Sequence, residues 1–273
     1  MARTIAICNQ KGGTSKTTSS VNLSTYLALA KNKTLLVDLD PQSNATSGIG
    51  INKHSVTSGT YDVLHENATV ESVIMPTQIE SLDLAPSSLD LTGAEVELVS
   101  VINREYRLKK AITPIQNRYN FILIDCPPSL GLLTLNALTA ADSVMIPVQC
   151  EYYALEGLSQ LMNTVKLVKD NLNPNLEIEG VLLTMADYRT NLTKEVIDEV
   201  KKFFGDLVYK AIIPRSIKLT EAPGFGKPIA LYDKNSIGAT AYHNLAKEVI
   251  NKNAQHIENK EVKRSHDLQS KAM

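Results

Sequence analysis

The sequence predicts an α/β fold: a doubly wound, mainly parallel sheet flanked by helices. Two observations carry this. Short runs of Val, Ile and Leu without polar alternation recur along the chain, as expected of strands covered on both faces. Between them lie longer stretches with helical spacing, and strands alternating with helices imply right-handed βαβ crossovers. Ligands in such folds bind beyond the C-terminal ends of the strands.

In chain order, Ile5-Ala6-Ile7-Cys8 reads as the first strand and residues 19–30 as the helix after it. Leu35-Leu36-Val37-Asp38-Leu39-Asp40 reads as a buried strand entering a polar loop, residues 41–48. Between residues 51 and 118 the pattern is mixed. Helices are expected over 61–66 and 94–116, a short strand over 82–86, and Arg104, Arg107, Lys109 and Lys110 on a solvated helix face. Phe121-Ile122-Leu123-Ile124-Asp125 is the next strand, followed by a helix over 130–141, a strand over 143–148 and an amphipathic helix over 154–170. A strand over 178–184, a helix over 191–204 and a short strand over 209–213 lead into a Pro/Gly-rich loop, 214–228. A helix over 237–251 closes a single domain, residues 1–252, and the polar segment 253–273 is expected to be disordered.

A chain of 273 residues, 43% hydrophobic and 21% charged, describes a globular protein able to bury a full core. No run approaches the ~18 apolar residues of a membrane span. Met1-Ala-Arg leads straight into the first strand, which leaves no room for a signal peptide, so a cytoplasmic location is expected. In the tail, Ile257, Val262 and Leu268 are spaced too irregularly for an apolar stripe, which argues against membrane targeting. Cys8, Cys126 and Cys150 are far apart in sequence, with no C-x-x-C, and read as buried small residues rather than a disulfide framework or zinc site. The net charge of −1 argues against a generally basic coat, but residues 185–273 hold 15 Lys+Arg against 11 Asp+Glu, a local +4.

The chemistry concentrates in residues 9–18, Asn-Gln-Lys-Gly-Gly-Thr-Ser-Lys-Thr-Thr. A strand feeding a Gly-rich turn that opens a helix aims backbone N–H groups and the positive helix end at one point, the usual way to cradle phosphate. Gly12, Gly13, Thr14, Ser15 and Thr18 form the cradle, Lys16 reaches the outer phosphates, and the Thr17 hydroxyl is placed to ligate Mg²⁺. The spacing departs from G-x-x-x-x-G-K-[ST] and fits K-G-G-x-x-K-[ST], with a second lysine, Lys11, before the glycines. Asp38 and Asp40 share a strand face. Asp40, nearer the loop, is the better candidate for orienting an attacking water. Asp125, ending a buried strand before Cys126-Pro127-Pro128, is placed to hold the Mg²⁺ shell, directly or through water.

These segments, with LLTMADYRTNL and IIPRSIKLTEAPGFGKPI, resemble the ParA/Soj family of chromosome- and plasmid-partitioning ATPases, which carry a deviant Walker A motif. The resemblance runs from about Thr4 to Ile250 and looks like the chromosomal type, without an N-terminal helix-turn-helix. It implies an ATP- and Mg²⁺-dependent homodimer that binds DNA non-specifically at the nucleoid, with a ParB-type adaptor protein that stimulates hydrolysis. It further implies that Lys11 reaches the partner's nucleotide, Lys16 and Asp40 act in catalysis, Pro214 and Arg215 lie on the adenine side, and Arg189, Lys218 and, more weakly, Lys227 contact DNA. Where most members have glycine, this chain has Ser15, whose Cβ would crowd the loop if φ is positive. The alternatives are a MinD-like membrane-cycling ATPase, an electron-transfer reductase like the nitrogenase iron protein, and a DNA-binding scaffold impaired in hydrolysis.

Overall fold

A computed structural model describes residues 1–151 and 156–271, and within these the side chains of 1–151 and 158–258. Seven strands form one sheet: β1 (Arg3–Ile7), β2 (Thr34–Asp38), β3 (Met75–Pro76), β4 (Leu82–Ala85), β5 (Phe121–Asp125), β6 (Ser143–Gln149) and β7 (Glu177–Thr184). Their order is β3-β4-β2-β5-β1-β6-β7, and every pairing is parallel except β3 with β4. The predicted doubly wound, mainly parallel sheet is therefore the fold. Twelve helices flank it among the described residues. The first six are α1 (Lys16–Leu29), α2 (Asn44–Gly48), α3 (Thr60–Leu64), α4 (Val70–Val73), α5 (Leu91–Glu97) and α6 (Arg107–Ile112). The rest are α7 (Leu132–Ala140), α8 (Glu156–Asn171), α9 (Asn191–Phe204), α10 (Ile217–Glu221), α11 (Ile229–Tyr232) and α12 (Ile237–Lys271).

The period-2 alternation of the central strands sorts the core into two layers. Ile5, Ile7, Leu36, Phe121 and Leu123 pack with Val21, Leu23 and Leu27 of α1 and Tyr242, Leu245 and Val249 of α12. Ala6, Cys8, Leu35, Val37, Ile122, Ile124 and Cys126 pack on the opposite face with Leu133, Ala137 and Leu138 of α7. Burial on both faces explains why these strands read as continuous apolar runs. The strand order places β1 between β5 and β6, so the segments leaving β2, β5 and β1 sit side by side at one sheet edge.

Several predicted elements differ. The long helix expected over 94–116 is broken: extended Val101, left-handed Asn103 (φ 58°) and Pro114 interrupt the pattern between α5, α6 and a following 3-10 turn, Thr113–Arg118. The strand expected over 209–213 is no regular strand. It runs beside β7 through two isolated bridges, Val181 with Val208 and Ala186 with Pro214. The loops expected over 41–48 and 214–228 contain α2 and α10. The last helix, expected to end at residue 251, continues to Lys271, across a stretch containing neither Gly nor Pro. The start of the helix expected over 154–170 falls partly outside the described residues; α8 begins at Glu156. No described helix is long and apolar enough to cross a membrane.

Candidate nucleotide site

The loop between β1 and α1 is braced from three sides. Asn9 donates to the Pro147 carbonyl at 2.7 Å and accepts from the Lys11 N–H at 3.0 Å, fixing the exit from β1. Thr184, at the end of β7, donates to the Thr14 carbonyl at 3.1 Å. The Lys16 ammonium is buried and donates to the Lys11 carbonyl at 3.0 Å, folding the loop around its own lysine. Burial pulls the Lys16 pKa down, opposed chiefly by the charge of Asp125.

Helix α1 opens at Lys16 with no side-chain cap on its first turn, so its leading N–H groups point out of the loop unpaired by a capping oxygen. A Cβ built on Gly12 or Gly13 meets nothing within 4 Å, so the space over the loop is open. Gly13 has φ +75°, a conformation glycine adopts without cost. Ser15 has φ 67° and ψ 28°, so the serine sits in the left-handed region and the conformational cost anticipated for it is present. Ser15→Gly is expected to raise stability by about 0.5–1 kcal/mol, the left-handed penalty less glycine's extra unfolded-state entropy. Denaturant midpoints at unchanged m-value would measure it, and a loss of stability would mean that the Ser15 hydroxyl holds the loop.

Three carboxylates enclose the opposite side. Asp38 and Asp125 are register partners at the ends of β2 and β5, and both are fully buried. Asp38 spends its carboxylate on structure: Oδ2 accepts from Thr46 N–H at 2.8 Å and Thr46 hydroxyl at 2.7 Å, and Oδ1 from Asp40 N–H at 3.1 Å. It thereby anchors α2 to the end of β2, and burial still pushes its pKa up to about 6. Of the two aspartates that share a strand face, Asp38 is thus taken up by α2, which leaves Asp40. That residue accepts from Gln42 N–H at 2.9 Å, and its carbonyl is held by the Ser87 hydroxyl at 2.8 Å. Asp125 accepts from the Ser20 hydroxyl at 2.7 Å through Oδ1 and has the Thr17 hydroxyl close enough to favour its charged form, whereas its buried Oδ2 has no hydrogen bond of normal length among the described residues. Burial, then the charge of Asp38, pushes the Asp125 pKa up to about 8. An orphaned carboxylate oxygen beside Lys16 and Thr17 is the arrangement that a hard divalent cation completes.

Ser20, Thr46, Ser87 and Thr184 do not stand out in the sequence, because small hydroxyl residues carry no signature until the fold names their partners. The remaining predicted residues lie around the same sheet edge or on the neighbouring surface. Arg215 pairs with Glu151 at 3.2 Å, and Pro214 bridges to Ala186 just past β7. Exposed Arg189 forks onto Asp187 at 2.8 and 2.6 Å, holding that carboxyl down at about 2. Lys218 pairs with Glu221 at 3.1 Å. Lys227 differs from these two. It lines a cavity of about 430 Å³ with Thr17, Thr18 and Asn44, on the helix-start side of the loop. The Gln78 amide ties this region together, donating to the carbonyls of Ile49 and Gly226 at 3.0 Å each, so the segment after α2 and the loop after α10 touch.

The chain is similar to known proteins along most of its length. A family model described as an AAA domain matches residues 2–178. The chain is 61% identical over 249 residues to the sporulation initiation inhibitor protein Soj of Bacillus subtilis strain 168, covering 91% of this chain and 98% of that protein. It is 53% identical over 250 residues to the chromosome partitioning protein ParA of Myxococcus xanthus strain DK1622, covering 92% and 88%. Among solved structures, a Mycobacterium smegmatis protein described as cobyrinic acid a,c-diamide synthase, with bound ATP analogue and magnesium, superposes with a TM-score of 0.81. That match is 35% identical and covers 92% of this chain and 95% of the other.

Proposed function

The chain belongs to the ParA/Soj family of chromosome-partitioning proteins, and from that premise we propose that it is an ATPase that dimerises on ATP and Mg²⁺, binds DNA without sequence preference, and lets go after hydrolysis. The observation that carries the reading is the convergence of the open Gly12-Gly13 loop, buried Lys16 and the unpartnered Asp125 Oδ2 at one sheet edge. Loop N–H groups and the α1 terminus hold the phosphates, and Lys16 neutralises their outer oxygens. Thr17 and Asp125, the latter directly or through water, are the groups that would hold Mg²⁺, which when bound neutralises charge on the β- and γ-phosphates. Asp40 orients the attacking water and accepts its proton. The Asp40 backbone is tied to Ser87, and Thr46, on α2 after it, is tied to Asp38, so the carboxylate is pre-positioned.

Lys11 precedes the glycines, and no hydrogen bond or ion pair of its ammonium is found among the described residues; in the proposed dimer it extends to the partner's phosphates. Dimerisation doubles the basic C-terminal third into one surface and raises DNA affinity through multivalent phosphate contacts. Arg189 and Lys218 supply such contacts by exchanging Asp187 and Glu221 for phosphate, at small cost because both ion pairs are exposed and screened by solvent. A ParB-type adaptor accelerates the otherwise slow hydrolysis and ends the bound state, and the protein works in the cytoplasm at the nucleoid.

The salt dependence of ATP-state DNA binding tests the surface. Arg189→Ala or Lys218→Ala is expected to weaken binding equally for unrelated duplexes and to lower the slope of log K against log salt by about 2 per dimer, one phosphate per subunit. Unchanged slopes in both variants would remove these residues from the DNA surface.

A further inference from the structure

Cys8 and Cys126 are 118 positions apart in sequence, yet their sulfurs lie 2.8 Å apart. The strand register explains this. Ile7 pairs with Asp125 across β1 and β5, so the next residue of each strand falls opposite the other, with both side chains on the α7 face. Neighbouring parallel strands run about 4.8 Å apart, inside the Cα separation that a disulfide spans. Both cysteines are free thiols, and Cys150 is a third, placed separately after β6. The pair flanks the nucleotide machinery on both sides: Cys8 precedes Asn9, which braces the loop, and Cys126 follows Asp125.

We propose that Cys8 and Cys126 form an oxidisable dithiol beneath the nucleotide loop, which a hydroperoxide converts into an intramolecular disulfide that weakens nucleotide binding. In the first step one thiol is oxidised by the peroxide O–O bond to a sulfenic acid, releasing one water or alcohol. In the second, the neighbouring sulfur attacks the sulfenic sulfur, an S–S bond forms and water leaves. Each thiol gives up one proton and one electron, and the peroxide is reduced by two electrons. The second step is intramolecular between sulfurs already in contact, so it outruns further oxidation. Both thiols are at most 1% exposed on the α7 face, which makes the first step depend on local opening of the segments packed over that face. Because the disulfide weakens nucleotide binding, bound nucleotide disfavours the disulfide to the same degree.

Bond formation draws the two strand ends together at their sulfurs and holds Cys8 and Cys126 in one relative position. Asn9 and Asp125 are their chain neighbours and lose the freedom to adjust around phosphate and cation. The bond itself does not depend on the ATP reading; its consequence for nucleotide affinity rests on it.

The full chain, without nucleotide, is treated with hydrogen peroxide, denatured in iodoacetamide and analysed by peptide mass spectrometry, with binding of a fluorescent ATP analogue followed in parallel. The expected product is one cross-linked peptide pair joining Cys8 to Cys126, about 2 Da lighter than the two thiol peptides, with Cys150 alkylated. Analogue affinity is expected to fall about tenfold, the scale on which displaced supporting groups act, and to return with dithiothreitol. Saturating Mg·ATP slows cross-linking, and Cys8→Ser binds the analogue like the reduced protein but ignores peroxide; Cys126→Ala serves if that variant does not fold. Recovery of Cys8 and Cys126 both alkylated, or a link through Cys150, overturns the pairing. A Cys8–Cys126 link with unchanged affinity overturns the control of the site, while a reduced protein that binds no analogue overturns the ATP reading and leaves the link standing.

Discussion

Asp40→Ala is expected to lower ATP turnover by about 10²–10⁴-fold, the range for removing a positioned general base, while changing ATP affinity by no more than a few-fold. The carboxylate sits past the end of β2, its oxygen held by Gln42 N–H and its carbonyl by Ser87, with no contact to the loop that cradles phosphate among the described hydrogen bonds. Removing it therefore leaves Lys16, Thr17 and Asp125 in place. Asp38 keeps α2 anchored through Thr46, so the surrounding loop survives the substitution. Phosphate release under saturating ATP and equilibrium binding of ATP separate the two effects. Equal loss of both would assign Asp40 to binding rather than to chemistry.

Asp125→Asn should act in opposite directions on stability and on metal dependence. The carboxyl is fully buried and its pKa is raised from 3.8 to about 8. Between those values the folded chain holds more protons than the unfolded one, so stability falls as pH rises from about 4 to about 8. Asp38, raised to about 6, adds to the same slope over the lower part of that window. The amide keeps an oxygen for the Ser20 hydroxyl and carries no charge to bury. Leaving a buried polar group unsatisfied costs about 1–3 kcal/mol and more when it is charged, but Lys16 loses an opposing charge when Asp125 becomes neutral. The net gain at pH 8 is therefore expected near the lower end, about 1 kcal/mol, with a flatter pH profile. Mg²⁺ should then cease to strengthen ATP binding. Thermal or denaturant unfolding of the ligand-free protein at pH 6 and pH 8 reads the first effect, and nucleotide titrations with and without Mg²⁺ read the second. A variant that keeps its Mg²⁺ dependence would move the cation away from Asp125.

Fold class, element order and the motifs at the sheet edge were legible because each rests on a local signal. Buried parallel strands read as apolar runs, and the Lys11-Gly12-Gly13 turn, Asp40 and Asp125 each stand at a strand end. What was not legible depends on partners distant in sequence. Asp38 looks like Asp40 until Thr46 is seen to occupy its carboxylate. Ser20 acquires its part only by facing Asp125 from α1. The left-handed φ of Ser15 cannot be read from a residue that tolerates ordinary φ as readily. The cysteines, read as isolated small residues, meet only because β1 and β5 are neighbours in the sheet though far apart in the chain. The helix expected over 94–116 failed for a local reason that the apolar pattern hides, the turn at Asn103.

The central claim is that nucleotide state switches DNA binding. Retention on a non-specific duplex, measured with no nucleotide, ADP or ATP at two salt concentrations and alongside Asp40→Ala with ATP, tests it most directly. The account predicts salt-sensitive retention with ATP alone, and longer retention for Asp40→Ala because hydrolysis no longer ends the bound state. Equal retention in all nucleotide states would contradict it and leave a DNA-binding scaffold in place of a switch.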